Sequence, residues 1–247
     1  LQTLSLIFDE KHLSEEYYQD LVANQYNTKH TKYLINESLF INTIDKFFES
    51  MEQPTIDGLN TYFVSKAAKE LGLTTVLSGI GGDEIFYGYS SFHDCKTLKF
   101  LSKIPYSLIK IFEYSHRYKK LELLKAEHDL AYYLPKRGLF SPKEIAQILS
   151  IDKTMVYRLI SKLWLTYNTS SIEQIEDKIS QCELSLYMKN QLLRDTDVFS
   201  MAHSLEIRVP FLDKDLVDYV LQVEPKKKFG KYNKQLLVDV VKNILPD

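Results

Sequence analysis

The pattern of apolar and polar positions in the first ninety residues predicts alternating strands and helices. Three short runs are predicted to be strands: 4–8, 31–35 and 74–77. The third has the apolar character of a buried parallel strand. Three other stretches carry apolar residues at helical spacing: 14–26, 37–48 and 60–71. Gly72 follows the last of them, where a glycine commonly ends a helix. Strands that alternate with helices are typical of a parallel sheet with helices on both faces, so we predict an α/β fold here.

The pattern changes in the second half of the chain. Between residues 96 and 192 we find no convincing strand alternation and several helical periods. One helix is predicted to begin at Ser141-Pro142, because serine caps a helix well and proline suits its first position. Further helices are predicted at 154–167, 171–179 and 183–201. We therefore predict a mainly helical region that packs onto the sheet.

A glycine-rich loop, Ser-Gly-Ile-Gly-Gly-Asp-Glu at 78–84, directly follows the third predicted strand. Glycine lets backbone amides approach an anion closely, and an acid beside bound phosphate usually needs a divalent cation between them. Ligands of parallel sheets bind beyond the carboxyl ends of the strands. We interpret the loop as a site for nucleotide phosphate and Mg²⁺. The local sequence leaves open a tight strand-to-helix turn with Asp83 as the helix N-cap.

The composition of the chain argues against several classes of binding partner. The 31 basic and 33 acidic side chains give a net charge of −2, which offers no general attraction to nucleic acid or to an anionic membrane. Cys95 and Cys182 match neither a disulfide framework nor a zinc site. No apolar run approaches the length of a membrane span, and we expect no secretory leader. We expect a cytoplasmic protein with a small-molecule substrate and with no nucleic-acid or membrane partner.

Two long segments resemble the synthetase domain of the asparagine synthetase B family, which hydrolyses glutamine. The first covers 61–89 and ends in the glycine-rich loop. The second covers 192–213 and contains Arg-Asp-Thr-Asp followed by Val-Pro-Phe-Leu-Asp. The two segments occur in the same order as in the family, and the number of residues between them is suitable. The resemblance covers essentially the whole chain and is looser through the helical middle.

The resemblance implies an adenine-nucleotide α-hydrolase-like sheet followed by helices. We expect a partial nucleotide-binding α/β portion over 1–92 and a helical portion of the same synthetase domain over 93–247. The implied cofactors are ATP and Mg²⁺. The implied reaction adenylates a carboxylate, such as that of aspartate, and ammonia from a glutaminase domain then displaces AMP to form an amide.

The resemblance also assigns roles within the loop and near both ends of the chain. Asp83 would be the Mg²⁺ ligand, and the backbone of Ile7 would contact adenine. The residues expected to line the nucleotide site are Ser78, Gly79, Gly81 and Gly82. The family also places a catalytic lysine shortly before a Leu-Leu-Arg-like run. Lys234 before Leu-Leu-Val fits that position, and Lys231 is the rival candidate. Either lysine could instead be a solvated helix residue.

Three departures from the family change the expectation. The pyrophosphate loop, Ser-Gly-Gly-x-Asp-Ser, and the glutaminase domain do not occur in the 247 residues. We therefore expect a carboxy-terminal portion truncated after that loop, inactive by itself in amide formation. Uncovered sheet surface would favour marginal stability or self-association, for example as a homodimer. The third departure is Ile80, which stands where asparagine synthetases carry a glutamate and cannot transfer a proton.

These departures keep two other functions open. The parent protein could be an amide ligase that acts on a sugar, peptide or antibiotic acceptor. Alternatively, the fold could serve as a non-catalytic module that binds a nucleotide, another anion or a partner. The second segment also carries four charged residues whose role the sequence leaves open: Arg194, Asp197, Glu206 and Arg208. They could form structural ion pairs, or the two arginines could bind substrate.

Overall fold

The computed structural model describes residues 1–8, 15–109, 116–126, 128–167, 169 and 171–246. The β-strands of these parts are β1 (Gln2–Phe8), β2 (Lys29–Ile35), β3 (Thr75–Leu77) and β4 (Glu206–Arg208). The α-helices are α1 (Glu16–Gln25), α2 (Glu37–Ser50), α3 (Gly58–Glu70), α4 (Gly82–Phe86), α5 (Ser90–Leu101), α6 (Tyr106–Ile109), α7 (His116–Lys119), α8 (Leu130–Arg137), α9 (Pro142–Leu149), α10 (Lys153–Thr166), α11 (Ile175–Cys182), α12 (Leu193–Met201), α13 (Lys214–Gln222), α14 (Pro225–Lys228) and α15 (Gln235–Val241). Residues Lys120–Lys125 and Pro210–Leu212 are 3₁₀-helical, and Glu183–Leu192 is a π-helix.

The chain forms two compact units. The first contains Leu1–Gly81, Met188–Leu216 and Leu236–Asp247, and the second contains Gly82–Tyr187 and Val217–Gln235. Both units are built from segments that are distant in the sequence. The predicted division between residues 92 and 93 stays a prediction.

The first unit holds all four strands, and its sheets are parallel. β1 pairs with β2, so that Leu4 lies opposite Thr31, and β3 pairs with β4, so that Val76 lies opposite Ile207. The sequence prediction of parallel strands alternating with helices is confirmed, and the fold is α/β. The predicted start of the first helix at residue 14 lies outside the described residues.

One sequence prediction about β3 is wrong, because this strand is not buried. The side chain of Leu77 is 73% exposed. Among the described residues β3 has a single neighbouring strand, β4, so one backbone edge is left open. An apolar run therefore predicted the strand correctly and its burial incorrectly.

The helices of the first unit pack around an aromatic core. The ring of Phe47 in α2 stacks on that of Phe199 in α12, with 4.8 Å between centroids, and Tyr62 meets both rings edge-on. Helix α3 begins at Gly58, where any side chain would overlap the Phe199 ring. The predicted glycine after α3 is confirmed, since Gly72 has a φ of +76°.

The second unit contains only helices among its described residues, as the sequence pattern predicts for 96–192. Ser141 accepts a hydrogen bond from the Glu144 amide, and the Glu144 carboxylate accepts one from the Ser141 amide. This capping box confirms the predicted start of α9. The core of the unit consists of buried apolar side chains that include Tyr87, Phe92, Leu130, Val156 and Ile179. No helix in the described parts of the chain has both the length and the apolar character needed to cross a bilayer.

Candidate functional site

The glycine-rich loop begins in the first unit, directly after β3. The Ser78 amide donates a hydrogen bond to the Arg208 carbonyl at 2.9 Å, which continues the pairing between β3 and β4 by one residue. The Ile80 amide lies 3.4 Å from the Ser78 hydroxyl oxygen. The parallel pair β3–β4 therefore fixes where the loop starts, and Ile7 lies separately on β1, opposite Leu34.

Gly81 and Gly79 of this loop differ in the space around them. Gly81 has a φ of +102°, and a Cβ atom there would lie 2.6 Å from a methyl group of Leu212. Only glycine suits that position. Gly79 has open space within 4 Å of where its Cβ would be. The backbone of Gly79 is thus accessible to a ligand, as the interpretation of a nucleotide-binding loop requires.

Asp83 lies in the second unit, in the first turn of α4. That helix already begins at Gly82, so the alternative in which Asp83 is the N-cap is wrong. The helix ends at Phe86 and is followed by Tyr87 in the left-handed region at φ +64°. The Gly88 amide donates a hydrogen bond to the Asp83 carbonyl at 2.8 Å. A side chain at Gly88 would overlap the Asp83 carboxylate. The absence of a side chain at Gly88 thus leaves space for the Asp83 carboxylate.

Lys234 and Asp83 are brought together within the second unit, although 151 positions separate them in the sequence. The Lys234 amine lies 3.0 Å from Asp83 Oδ1, and each side chain is 36% exposed. Lys234 is in the left-handed region at φ +57°, immediately before α15, so it is not a residue of a regular helix. The Lys231 amine lies elsewhere, 5.1 Å from the centroid of the Tyr232 ring.

The donor set at Asp83 fits a nucleotide-bound Mg²⁺ better than a protein-enclosed metal. In the part of the chain that the structure describes, no group of three or more His, Cys, Asp or Glu side chains could hold a metal ion. Magnesium at phosphate sites is commonly held by one or two carboxylates together with phosphate oxygens. A half-exposed Asp83 suits that role, and the adjacent Lys234 ammonium suits phosphate.

Comparison with known proteins decides the family. The family model described as asparagine synthase matches residues 1–247. The chain belongs to the asparagine synthase family. It is 29% identical over 259 aligned positions to asparagine synthetase [glutamine-hydrolyzing] 1 of Bacillus subtilis (strain 168), an alignment that covers 100% of this chain and 40% of that protein.

A second asparagine synthetase aligns over a shorter stretch. The putative asparagine synthetase [glutamine-hydrolyzing] 2 of Methanocaldococcus jannaschii is 36% identical over 107 residues, which is 42% of this chain and 20% of that protein. The present chain therefore spans less than half of the length of these relatives. The predicted resemblance to asparagine synthetases is confirmed.

Within this asparagine synthase domain, the four charged residues of the second segment, Arg194, Asp197, Glu206 and Arg208, are exposed. Arg194 pairs with Glu52 at 3.2 Å and Arg208 with Glu206 at 2.8 Å, and all four paired side chains are more than half exposed. They form two surface ion pairs.

Sequence reasoning missed the buried acids of the domain. Asp195 is 3% exposed and accepts hydrogen bonds from the Thr55 hydroxyl and from Gln191 at 3.4 Å. Glu84, next to Asp83, is 1% exposed and accepts a hydrogen bond from the Tyr89 hydroxyl at 2.7 Å. Burial raises the pKa of Glu84, and the neighbouring Asp83 and Glu183 raise it further. The adjacent acidic pair 83–84 therefore divides into an accessible and a buried carboxylate.

Proposed function

We propose that this chain is the synthetase portion of an ATP-dependent ligase that activates a carboxylate by adenylation and converts it into an amide with ammonia. The ammonia would come from a glutaminase domain of the full-length protein, as the names of the glutamine-hydrolysing relatives suggest. Family membership over residues 1–247 supports the class of reaction.

The observation that carries the proposal is the pair formed by Asp83 and Lys234. A carboxylate and an ammonium 3.0 Å apart, both accessible, neutralise each other until an anionic substrate arrives. Asp83 belongs to the glycine-rich loop by sequence, and that loop follows the end of a parallel strand, where nucleotides bind in such sheets. The arrangement suits the binding of phosphate together with a divalent cation.

Each residue has a separate task in this proposal. Bound ATP would supply the adenylyl group and Mg²⁺ would neutralise phosphate charge. Asp83 would hold the cation, and Lys234 would stabilise negative charge that develops on the phosphate or acyl oxygens. The accessible backbone at Gly79 would lie against the nucleotide, and Ser78 with Gly81 and Gly82 would shape the loop around it.

The carboxylate acceptor is the finer part of the proposal. Ile80 is an apolar residue in the loop, and an isoleucine cannot act as an acid or a base. We therefore propose an acceptor that is either aspartate or a related carboxylate handled without an acid–base group at this position. A sugar, peptide or antibiotic carboxylate belongs to the same reaction class.

Pyrophosphate release by the full-length protein, with ATP, Mg²⁺ and ammonia or glutamine, tests the proposal across a panel of carboxylates. We expect one class of carboxylate to trigger release and to appear as its amide. Asp83→Asn should lower the rate about 100-fold or more, the order found when one charge-stabilising group is lost. Asp94→Asn is the matched control, because Asp94 pairs with Lys136 outside the loop.

The two lysines provide a second matched pair. Lys234→Met should lower the rate strongly, whereas Lys231→Met should leave it within about twofold of the unchanged protein. The reverse result would assign the role to Lys231. If Asp83→Asn and both lysine variants retained full activity, the proposed roles of these residues would be wrong, and a non-catalytic binding role of this chain within the active full-length protein would be favoured.

A further inference from the structure

Lys228 is one of two charged side chains, with Glu183, whose relative exposure is 0% among the second unit's described residues. Its amine has no hydrogen-bond partner there. The amine lies 3.6 Å from Asp177 Oδ1 and 4.6 Å from the centroid of the Tyr87 ring. The ammonium is therefore held by one carboxylate and by the face of one aromatic ring.

Asp177, on α11, connects this amine to Tyr87. The Tyr87 hydroxyl donates a hydrogen bond to Asp177 Oδ1, the same oxygen that Lys228 approaches. Tyr87 is 1% exposed, so the hydroxyl and the ring are both enclosed. We call Lys228, Asp177 and Tyr87 the buried clamp.

Two residues of the clamp, Tyr87 and Lys228, are close in sequence to Asp83 and Lys234 of the candidate site. Tyr87 stands four positions after Asp83 and follows α4 in a left-handed conformation. Lys228 stands six positions before Lys234. Phe229, next to Lys228, places its ring 5.2 Å from that of Tyr87. The segments that carry Asp83 and Lys234 are therefore both attached to the Asp177 carboxylate.

Stability does not explain a lysine at this position. Burial disfavours the charged amine and lowers the pKa of Lys228, and Asp177 offsets only part of that effect. An apolar side chain of similar volume would fill the same space without the desolvation cost of the amine. The Asp177 carboxylate, which is 20% exposed, would keep the Tyr87 hydroxyl as its hydrogen-bond donor and would not become an unpartnered buried charge. We therefore look for the role of the amine in the positions of the chain segments that it holds.

We propose that Lys228 and Asp177 are positioning residues, which hold the Lys234 amine and the Asp83 carboxylate at their separation for the reaction. This inference rests on the proposed function. None of the three residues of the clamp contacts substrate in this view. Each acts through the chain segment that it anchors.

The test compares Lys228→Met with Lys226→Met in the full-length protein. Lys226 lies two positions away, is 77% exposed and pairs with Glu224, so it controls for the change of side chain in the same segment. We expect Lys228→Met to lower kcat at saturating substrate about 10- to 100-fold, because small misplacements of reacting groups have effects of that order. Lys226→Met should change kcat less than twofold.

Thermal unfolding separates positioning from stability. We expect the unfolding midpoint of Lys228→Met to equal or exceed that of the unchanged protein while kcat falls. Asp177→Asn, in which the amide oxygen can still accept the Tyr87 hydrogen bond, should lower kcat as well. The double variant should lose little more than either single variant if the clamp acts as one unit.

The outcomes distinguish this inference from the proposed function. If Asp83→Asn abolishes activity but Lys228→Met keeps full kcat, the clamp is not a positioning device and the proposed function stands. If Lys228→Met lowers the midpoint and kcat together and Lys228→Arg restores both, the residue is structural. If Asp83→Asn has no effect, the proposed function itself has failed.

Discussion

The guanidinium of Arg137 and the carboxylate of Glu183 form an enclosed ion pair, with Arg137 Nε 2.9 Å from Glu183 Oε2. The guanidinium lies over two aromatic rings, 4.0 Å from the centroid of Tyr89 and 4.1 Å from that of Tyr187. Glu183 is 0% exposed and also accepts a hydrogen bond from the Ser91 hydroxyl at 2.7 Å. Elements α5, α8 and the start of the π-helix thus meet at one carboxylate.

Removal of that carboxylate should strongly destabilise the second unit. Glu183→Ala leaves the Arg137 charge without its partner, and we expect a loss of about 3–5 kcal/mol in the free energy of unfolding, measured by urea denaturation. Arg194→Ala is the control, because the Arg194–Glu52 pair is more than half exposed and should contribute less than about 1 kcal/mol. Equal losses for the two variants would contradict this account of Glu183.

The glycines of the loop should respond differently to the same substitution. Gly81→Ala places a Cβ against Leu212 and forces alanine to a positive φ, so we expect a loss of about 1–3 kcal/mol in the free energy of unfolding. Gly79→Ala should leave stability nearly unchanged, since its Cβ would point into open space. In the full-length protein, Gly79→Ala should raise the KM for ATP. An unchanged KM would remove Gly79 from the nucleotide site.

Glu84 should make stability depend on pH in a defined direction. Its pKa is raised in the folded state, chiefly by burial, so the folded protein holds this proton more tightly than the unfolded chain. That contribution is complete below the unfolded pKa, about 4.3 for a glutamate, and is lost as pH rises through the folded pKa.

Glu84→Gln removes this titration and keeps an oxygen that can accept the Tyr89 hydrogen bond. We therefore expect the stability of the variant, relative to the unchanged protein, to increase from pH 4 upwards in urea titrations at several pH values. Glu70→Gln is a control of opposite sign, because Lys66 lowers the pKa of Glu70. A relative stability of Glu84→Gln that does not vary with pH would show that Glu84 ionises normally.

Much of the fold was predictable because its signals are local. Ser141-Pro142 and Glu144 act within one helical turn, and the sequence reveals their capping box directly. The apolar runs predicted β1, β2 and β3 and their parallel arrangement, since each run alternates with a helix. The resemblance at 61–89 and 192–213 predicted the family, which the match over 1–247 confirms.

The exposure of Leu77, the burial of Lys228 and the place of Lys234 were not accessible in this way. A lysine is usually solvated, and no local pattern marks one that lies under an aromatic ring and against Asp177. Likewise, the Leu-Leu-Val run favoured Lys234 over Lys231, but only the structure shows that the Lys234 amine lies beside Asp83.

The sequence by itself determined strands β1, β2 and β3, several of the helices, the glycine-rich loop and the family of this protein. The tertiary structure alone decided which carboxylate of 83–84 is accessible, which lysine meets it and which buried groups anchor the two segments. The physical reason is the sequence separation of the residues that interact. Helix periods, caps and glycine turns depend on neighbours within a few residues, whereas burial and charge pairing depend on groups brought together from positions as distant as 83 and 234.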